Sequence, residues 1–150
     1  MTTINCKKTL PSAVIPSRVY PTDIGMDLVC IAEKMRTWDE NDQTSLIMYD
    51  TGIAVSPPEG YYIEIVSRSS MSKSGWMLAN GVGIVDPSYR GSLKVAMVRI
   101  LNGAPEPSLP FCLTQLVLRK AEYGTMNVVD DLENTSRGKG GFGSTGERIN

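Results

Sequence analysis

Apolar residues in this chain fall in short runs. "MDLVCIA", "SLIMY", "GIAV", "YYIEIV", "SLKVAMVRI" and "FCLTQLVL" are separated by clusters of Pro, Gly, Asn and Asp such as "SPPEG", "DPSYRG" and "NGAPEPSLP". Several runs alternate apolar with polar, the period that turns one face of a strand to a core, and the turn clusters between them predict an all-β sandwich or barrel. Only "SSMSKSG" (Ser69 to Gly75) invites a helix, of a turn or two, and no stretch carries a long 3.6-residue apolar stripe. After Lys120 the alternation stops, and "AEYGTMNVVDDLENTS" is polar and acidic. Extended at about 3.3 Å per residue it reaches roughly 50 Å, more than the radius of a domain this size, so the residues beyond it can fold back or cross to a neighbour. The expected division is a β domain over residues 1–136 and a glycine-rich arm over 137–150.

Composition narrows the chemistry. At 150 residues one domain can bury a core without staples, and a net charge of -1 gives no global attraction to nucleic acid or an anionic membrane. Cys6, Cys30 and Cys112 are odd in number and lack CxxC spacing, so reduced thiols are expected. The N-terminus has no apolar signal region and no run approaches the roughly 18 residues of a span, which fits an intracellular protein of cytoplasm or nucleus. Histidine is absent, so Ser–His and Cys–His nucleophile pairs are excluded and proton transfer falls to carboxylate, tyrosine or lysine.

The chain closes on "RGKGGFGSTG", Arg137 to Gly146, with five glycines in ten residues. A disordered tail is one reading. A dinucleotide fingerprint fails for want of a strand before it and a helix after it, and a Walker loop fails because Lys139 precedes Ser144 by too much. The remaining reading is an anion clamp. Glycines bare backbone N–H groups, Arg137 supplies a fork, Gly143, Ser144 and Thr145 supply donors, and Phe142 supplies a flat face for a base.

"SRSSMSKSGWMLANGVGIVDPSYRGSLKV" (Ser67 to Val95), with "GMDL", "TQLVL" and the closing arm, resembles the five ordered motifs of the dUTP pyrophosphatase (dUTPase) family, over about Pro21 to Gly146. The resemblance implies a β jelly roll and a homotrimer whose shared active sites are each closed by a neighbour's arm. It implies hydrolysis of dUTP to dUMP and pyrophosphate, with Mg2+ as cofactor and neither nucleic acid nor membrane as partner. Asp86 resembles the catalytic aspartate that orients water toward the α-phosphorus; without the family, a turn aspartate before Pro87 is the commoner role. Asn80, Ile84, Val85 and Asp86 resemble the hairpin whose main chain pairs with uracil. Tyr89 resembles the residue under deoxyribose that excludes a 2'-hydroxyl, and Lys94 belongs to the same set of substrate contacts. Arg68, Ser69, Ser70 and Gln115 resemble the phosphate contacts. Asp27 resembles the aspartate that steadies waters around Mg2+, and a pairing with an arginine such as Arg68 is compatible with that role.

Two features depart from the family pattern: "KSG" stands where "KHG" is usual, and Ser88 where a second acid is common. A dCTP deaminase would need a glutamate ten residues after Asp86, where this chain has Ala96. A non-catalytic nucleotide-binding relative would have no use for Asp86.

Overall fold

The computed structural model describes residues 2–38, 40 and 44–146. It holds ten strands and one short 3-10 helix among those residues: β1 (Asn5–Lys8), β2 (Met26–Cys30), β3 (Ala32–Trp38), β4 (Thr44–Asp50), β5 (Ile53–Ser56), β6 (Tyr61–Ser67), the 3-10 helix (Ser69–Lys73), β7 (Trp76–Leu78), β8 (Gly83–Val85), β9 (Lys94–Arg99) and β10 (Phe111–Lys120). The strands form three antiparallel sheets, ordered β1-β5, β2-β10-β6-β8 and β3-β4-β9-β7. The all-β jelly-roll expectation holds, and the one helix sits where "SSMSKSG" placed it.

Period-two burial welds the two larger sheets. Leu28, Cys30, Ile63, Ile65 and Leu116 point inward from one, and Ile47, Tyr49, Trp76, Leu78, Val95 and Met97 from the other. Each such aliphatic side chain contributes about 1.5–3 kcal/mol by leaving water. Tyr49 meets Phe111 edge to face, with centroids 4.8 Å apart, and the Trp76 indole N–H donates to the Pro105 carbonyl at 2.9 Å. Cys30 is buried in this core, which pushes its thiol up to about 12, with Cys112 and Asp50 adding to the shift. No disulfide is present among the described residues.

The outer face of the β3-β4-β9-β7 sheet is apolar as well. Leu46 stands opposite Val98, which stands opposite Met77, and Met48 stands between Met35 and Ala96. No helix is long and apolar enough to cross a membrane among the described residues.

Candidate active site

β8 is an edge strand, paired to β6 alone through Ile63↔Val85, Glu64↔Ile84 and Ile65↔Gly83. Its other edge presents unpaired main-chain groups, as any edge strand does. Beyond it the chain turns back, with the Tyr89 N–H donating to Asp86 O at 3.0 Å and Arg90 Nη1 donating to Pro87 O at 2.6 Å and Tyr89 O at 3.0 Å. The fold-back makes a cleft of about 230 Å³ that brings together Asn80, Ile84, Val85, Asp86, Tyr89 and Lys94, as the sequence predicts, over a floor of Ile65 and Leu93. The Tyr89 hydroxyl donates to Ser92 O at 3.1 Å. Its ring lies so close over Gly91 that a Cβ there would collide with the hydroxyl oxygen. Asp86 is exposed and also borders a second hollow with Tyr123 and Lys120.

The phosphate candidates gather elsewhere. Gln115 on β10 lies between Asp27 on β2 and Val66 on β6. Its Nε2 donates to Ser67 O at 3.0 Å, and Gly25 must lack a side chain because a Cβ there would overlap Gln115 Oε1. Arg68 is held from three directions: its N–H donates to Leu113 O at 2.9 Å, its Nη1 to Cys112 O at 3.0 Å, and its Nε meets Asp27 Oδ1 at 3.0 Å. It therefore braces the β2-β10-β6 junction instead of offering an open fork, and the pairing of Asp27 with Arg68 is confirmed. With both partners about a third exposed, that pair contributes only about 0.2–1 kcal/mol by itself. The Cys112 thiol beside it is pushed up by burial and by Asp27, against the opposing pull of Arg68.

Asp27, Arg68, Ser69 and Gln115 line an open cleft of about 320 Å³, together with Asp23. Ser70 lies one step further along the 3-10 helix and does not border it. That helix is only five residues long, so few peptide dipoles add along it. No cluster of three potential metal-ligating side chains exists among the described residues.

The two clefts share no residue. They lie toward opposite edges of one sheet, and strand spacing puts Asp86 roughly 20 Å from Asp27 on β2 and roughly 16 Å from Gln115 on β10. The resemblance implies one site assembled from several chains, and within one chain the two groups stand apart.

The arm joins neither cleft. Ala121 N–H donates to Gly60 O at 2.8 Å, and beyond it the backbone hydrogen bonds of the described arm are internal turns, among them Gly140 N–H to Arg137 O at 3.1 Å and Ser144 N–H to Gly141 O at 3.2 Å. Arg137 Nε donates to Gly140 O at 2.9 Å, within its own turn. Phe142 is fully exposed at a φ of 52°, and Gly143, Ser144 and Thr145 are exposed beside it. Residues 147–150 of the expected arm lie outside the described residues.

Sequence reasoning missed Asp50. It ends β4 nine-tenths and more buried, accepts the Gly52 N–H at 2.8 Å, and accepts the Ser92 hydroxyl in a short bond. Its signal was a carboxylate at the close of the apolar run "SLIMY", where a buried position is expected.

The dUTPase family model matches residues 12–146. The deoxyuridine 5'-triphosphate nucleotidohydrolase of Orientia tsutsugamushi (strain Boryong) is 40% identical over 124 residues, covering 81% of this chain and 81% of that one. The enzyme of that name from Thermobifida fusca (strain YX) is 33% identical over 150 residues, covering 95% and 78%. Among solved structures, a mutant dUTPase of Staphylococcus bacteriophage 80alpha with dUpNHpp superposes with a TM-score of 0.71 at 21% identity, covering 98% of this chain and 100% of that one. At that identity the likeness speaks for the fold.

Proposed function

The chain belongs to the dUTPase family and hydrolyses dUTP to dUMP and pyrophosphate, and we propose that Asp86 is its general base in a site completed by other copies of the chain. Uracil lies along the open edge of β8, where main-chain groups match a base edge. Tyr89 packs under deoxyribose. Asp86 takes a proton from water as the water oxygen bonds to the α-phosphorus. The bond from that phosphorus to the bridging oxygen of the β-phosphate breaks, pyrophosphate leaves, and the proton passes to solvent. A positioned carboxylate of this kind is worth typically 10²- to 10⁴-fold.

The observation that carries this reading is the separation of the clefts. Ser69 and Gln115 have the hydroxyl and amide that phosphate oxygens want, braced by Arg68, yet they cannot reach a phosphorus attacked beside Asp86 of the same chain. A closed ring of three copies puts the phosphate cleft of one against the base cleft of the next. The apolar outer sheet face gives such copies a surface to share, and the segment leading to the arm, which exposes Met126, Val128 and Leu132, gains with Phe142 of the arm by covering a neighbour. There Phe142 stacks on uracil while Arg137, Gly143, Ser144 and Thr145 close on phosphate. Asp27, with one oxygen on Arg68 and a third of its side chain exposed, fits a water-mediated contact to Mg2+ held mainly by the triphosphate. When bound, the ion offsets phosphate charge.

Incubation of the protein with dUTP, dTTP, dCTP and dATP, each with Mg2+, reading pyrophosphate and ammonia together, tests the assignment. Pyrophosphate from dUTP alone is expected. Saturable dUTP binding without turnover would make the chain a binder, and ammonia from dCTP would make it a deaminase despite Ala96.

A further inference from the structure

Asp50 lines neither cleft, yet it is bonded to the wall of one of them. The segment Ser92–Lys94 enters β9 beside the end of β4, and four bonds clamp it there. The Ser92 hydroxyl donates to Asp50 Oδ1, Thr51 N–H and hydroxyl both donate to Leu93 O at 3.1 and 2.8 Å, and Leu93 N–H donates to Ile53 O at 2.7 Å. The Ser92 carbonyl in turn accepts the Tyr89 hydroxyl at 3.1 Å and Lys94 Nζ at 3.3 Å. Both of those side chains line the base cleft. The buried carboxylate and the atom that holds Tyr89 in place are therefore joined through a single residue, Ser92.

The acid matters as an acid. Burial pushes its pKa up, but the Ser92 hydroxyl, the Gly52 N–H and the charges of Lys94 and Lys34 outweigh this and hold the carboxyl below the ordinary aspartate range. A buried full charge with this many donors is not an idle turn residue, because leaving any of them unmatched is expensive. Lys34 Nζ stands 3.8 Å from Oδ2, the oxygen that Ser92 does not use.

We propose that Asp50 is a positioning residue for the nucleoside cleft: its carboxylate fixes Ser92, the Ser92 carbonyl fixes the Tyr89 hydroxyl, and this chain sets how sharply the site separates deoxyribose from ribose. The inference rests on the reading that the cleft at Tyr89 receives the sugar of dUTP. A Tyr89 ring pinned at its hydroxyl cannot swing away to admit a 2'-hydroxyl, whereas one released at Ser92 can.

Steady-state hydrolysis of dUTP and of UTP by Asp50→Asn and Ser92→Ala, with Ile47→Val as a core-destabilised control, tests it. Both variants should lose about tenfold of the wild-type preference for dUTP over UTP in kcat/KM, the size expected for loosening one bond to a charged group. The loss should come through a lowered KM for UTP, with kcat for dUTP within about threefold of wild type because Asp86 is untouched. The control should keep the wild-type preference. If Asp50→Asn does not fold, Ser92→Ala decides alone, since it removes one hydroxyl. Folded variants with the wild-type preference overturn the inference and leave the assignment of the site standing. A control that loses preference equally also overturns it, and a wild-type protein indifferent to the 2'-position overturns both.

Discussion

Two inactive variants should restore activity when they assemble together. Asp86→Asn removes the base, and Arg68→Ala removes the brace of the phosphate cleft; each alone is expected to fall to about one hundredth of the wild-type rate or less. Val85 stands opposite Ile63, so Asp86 is level with Tyr62, while Asp27 and Gln115 are level with Val66. Four residues along the strands at about 3.3 Å, and three strand spacings of about 4.8 Å from β8 to β2, separate Asp86 from Asp27 by roughly 20 Å on the diagonal, and two spacings to β10 leave Gln115 roughly 16 Å away. A base and a phosphate donor serving one phosphorus each stand about 3 Å from its ligands. A site must then take Asp86 from one chain and Arg68 from another. In any closed ring randomly assembled from equal amounts of the two variants, half the subunits at each place carry the needed residue, so about one quarter of sites are intact. Urea dissociation and joint refolding, followed by a pyrophosphate-release assay, should return about 25% of wild-type activity. Co-assembly is checked by pull-down through a tag on one variant. If the tag retrieves both variants and the mixture is no faster than its parents, the two clefts do not serve one site and the reasoning fails.

Asp86→Asn by itself should bind dUTP with nearly wild-type affinity while turnover falls about 10²-fold or more, measured by calorimetry beside kinetics; unchanged turnover removes Asp86 from the chemistry. Phe142→Ala should weaken binding of an unhydrolysable dUTP mimic by about 1–3 kcal/mol if the ring stacks on the base, and equal affinity would dismiss the stacking. Asp50 also predicts a pH effect. Burial raises its pKa, but the Ser92 hydroxyl, the Gly52 N–H and the charges of Lys94 on β9 and Lys34 on β3 outweigh this, so its folded pKa lies below the unfolded value of about 3.9. The stability it adds is therefore present above that value and is lost as pH falls through the folded one. Acid denaturation of Asp50→Asn followed by circular dichroism should show a shallower loss of stability below about pH 4 than the wild type, and parallel curves would contradict the assignment.

Most strands that could be read from the sequence have one wet face and one dry face, whereas β5, buried over Ile53 to Val55, was legible as the unbroken run "GIAV". β2, β4, β6, β9 and β10 owe their alternation to a core that takes every second residue. β1 is exposed throughout and reads as loop. β3 spends its polar residues on ion pairs, with Arg36 bound to Glu33 at 2.6 Å and to Glu106 at 3.0 Å, so its pattern carries no apolar signal. β7 and β8 have three residues each, too few for a period to show. The site divides along a similar line. Asn80 through Lys94 are one continuous stretch of chain that folds into one cleft, so local order sufficed to group them. Asp27, Arg68, Ser69 and Gln115 are far apart in sequence and meet only because β2, β10 and β6 are neighbours, and their order along the chain is the same whether one subunit or several build the site. Distance between clefts is a property of strand order, which motifs do not encode. The bond from Asp50 to Ser92 was hidden for the same reason: two side chains 42 positions apart meet only after β4 pairs with β9. In this chain motifs name the candidate groups, while sheet order holds the two sets apart within a single copy.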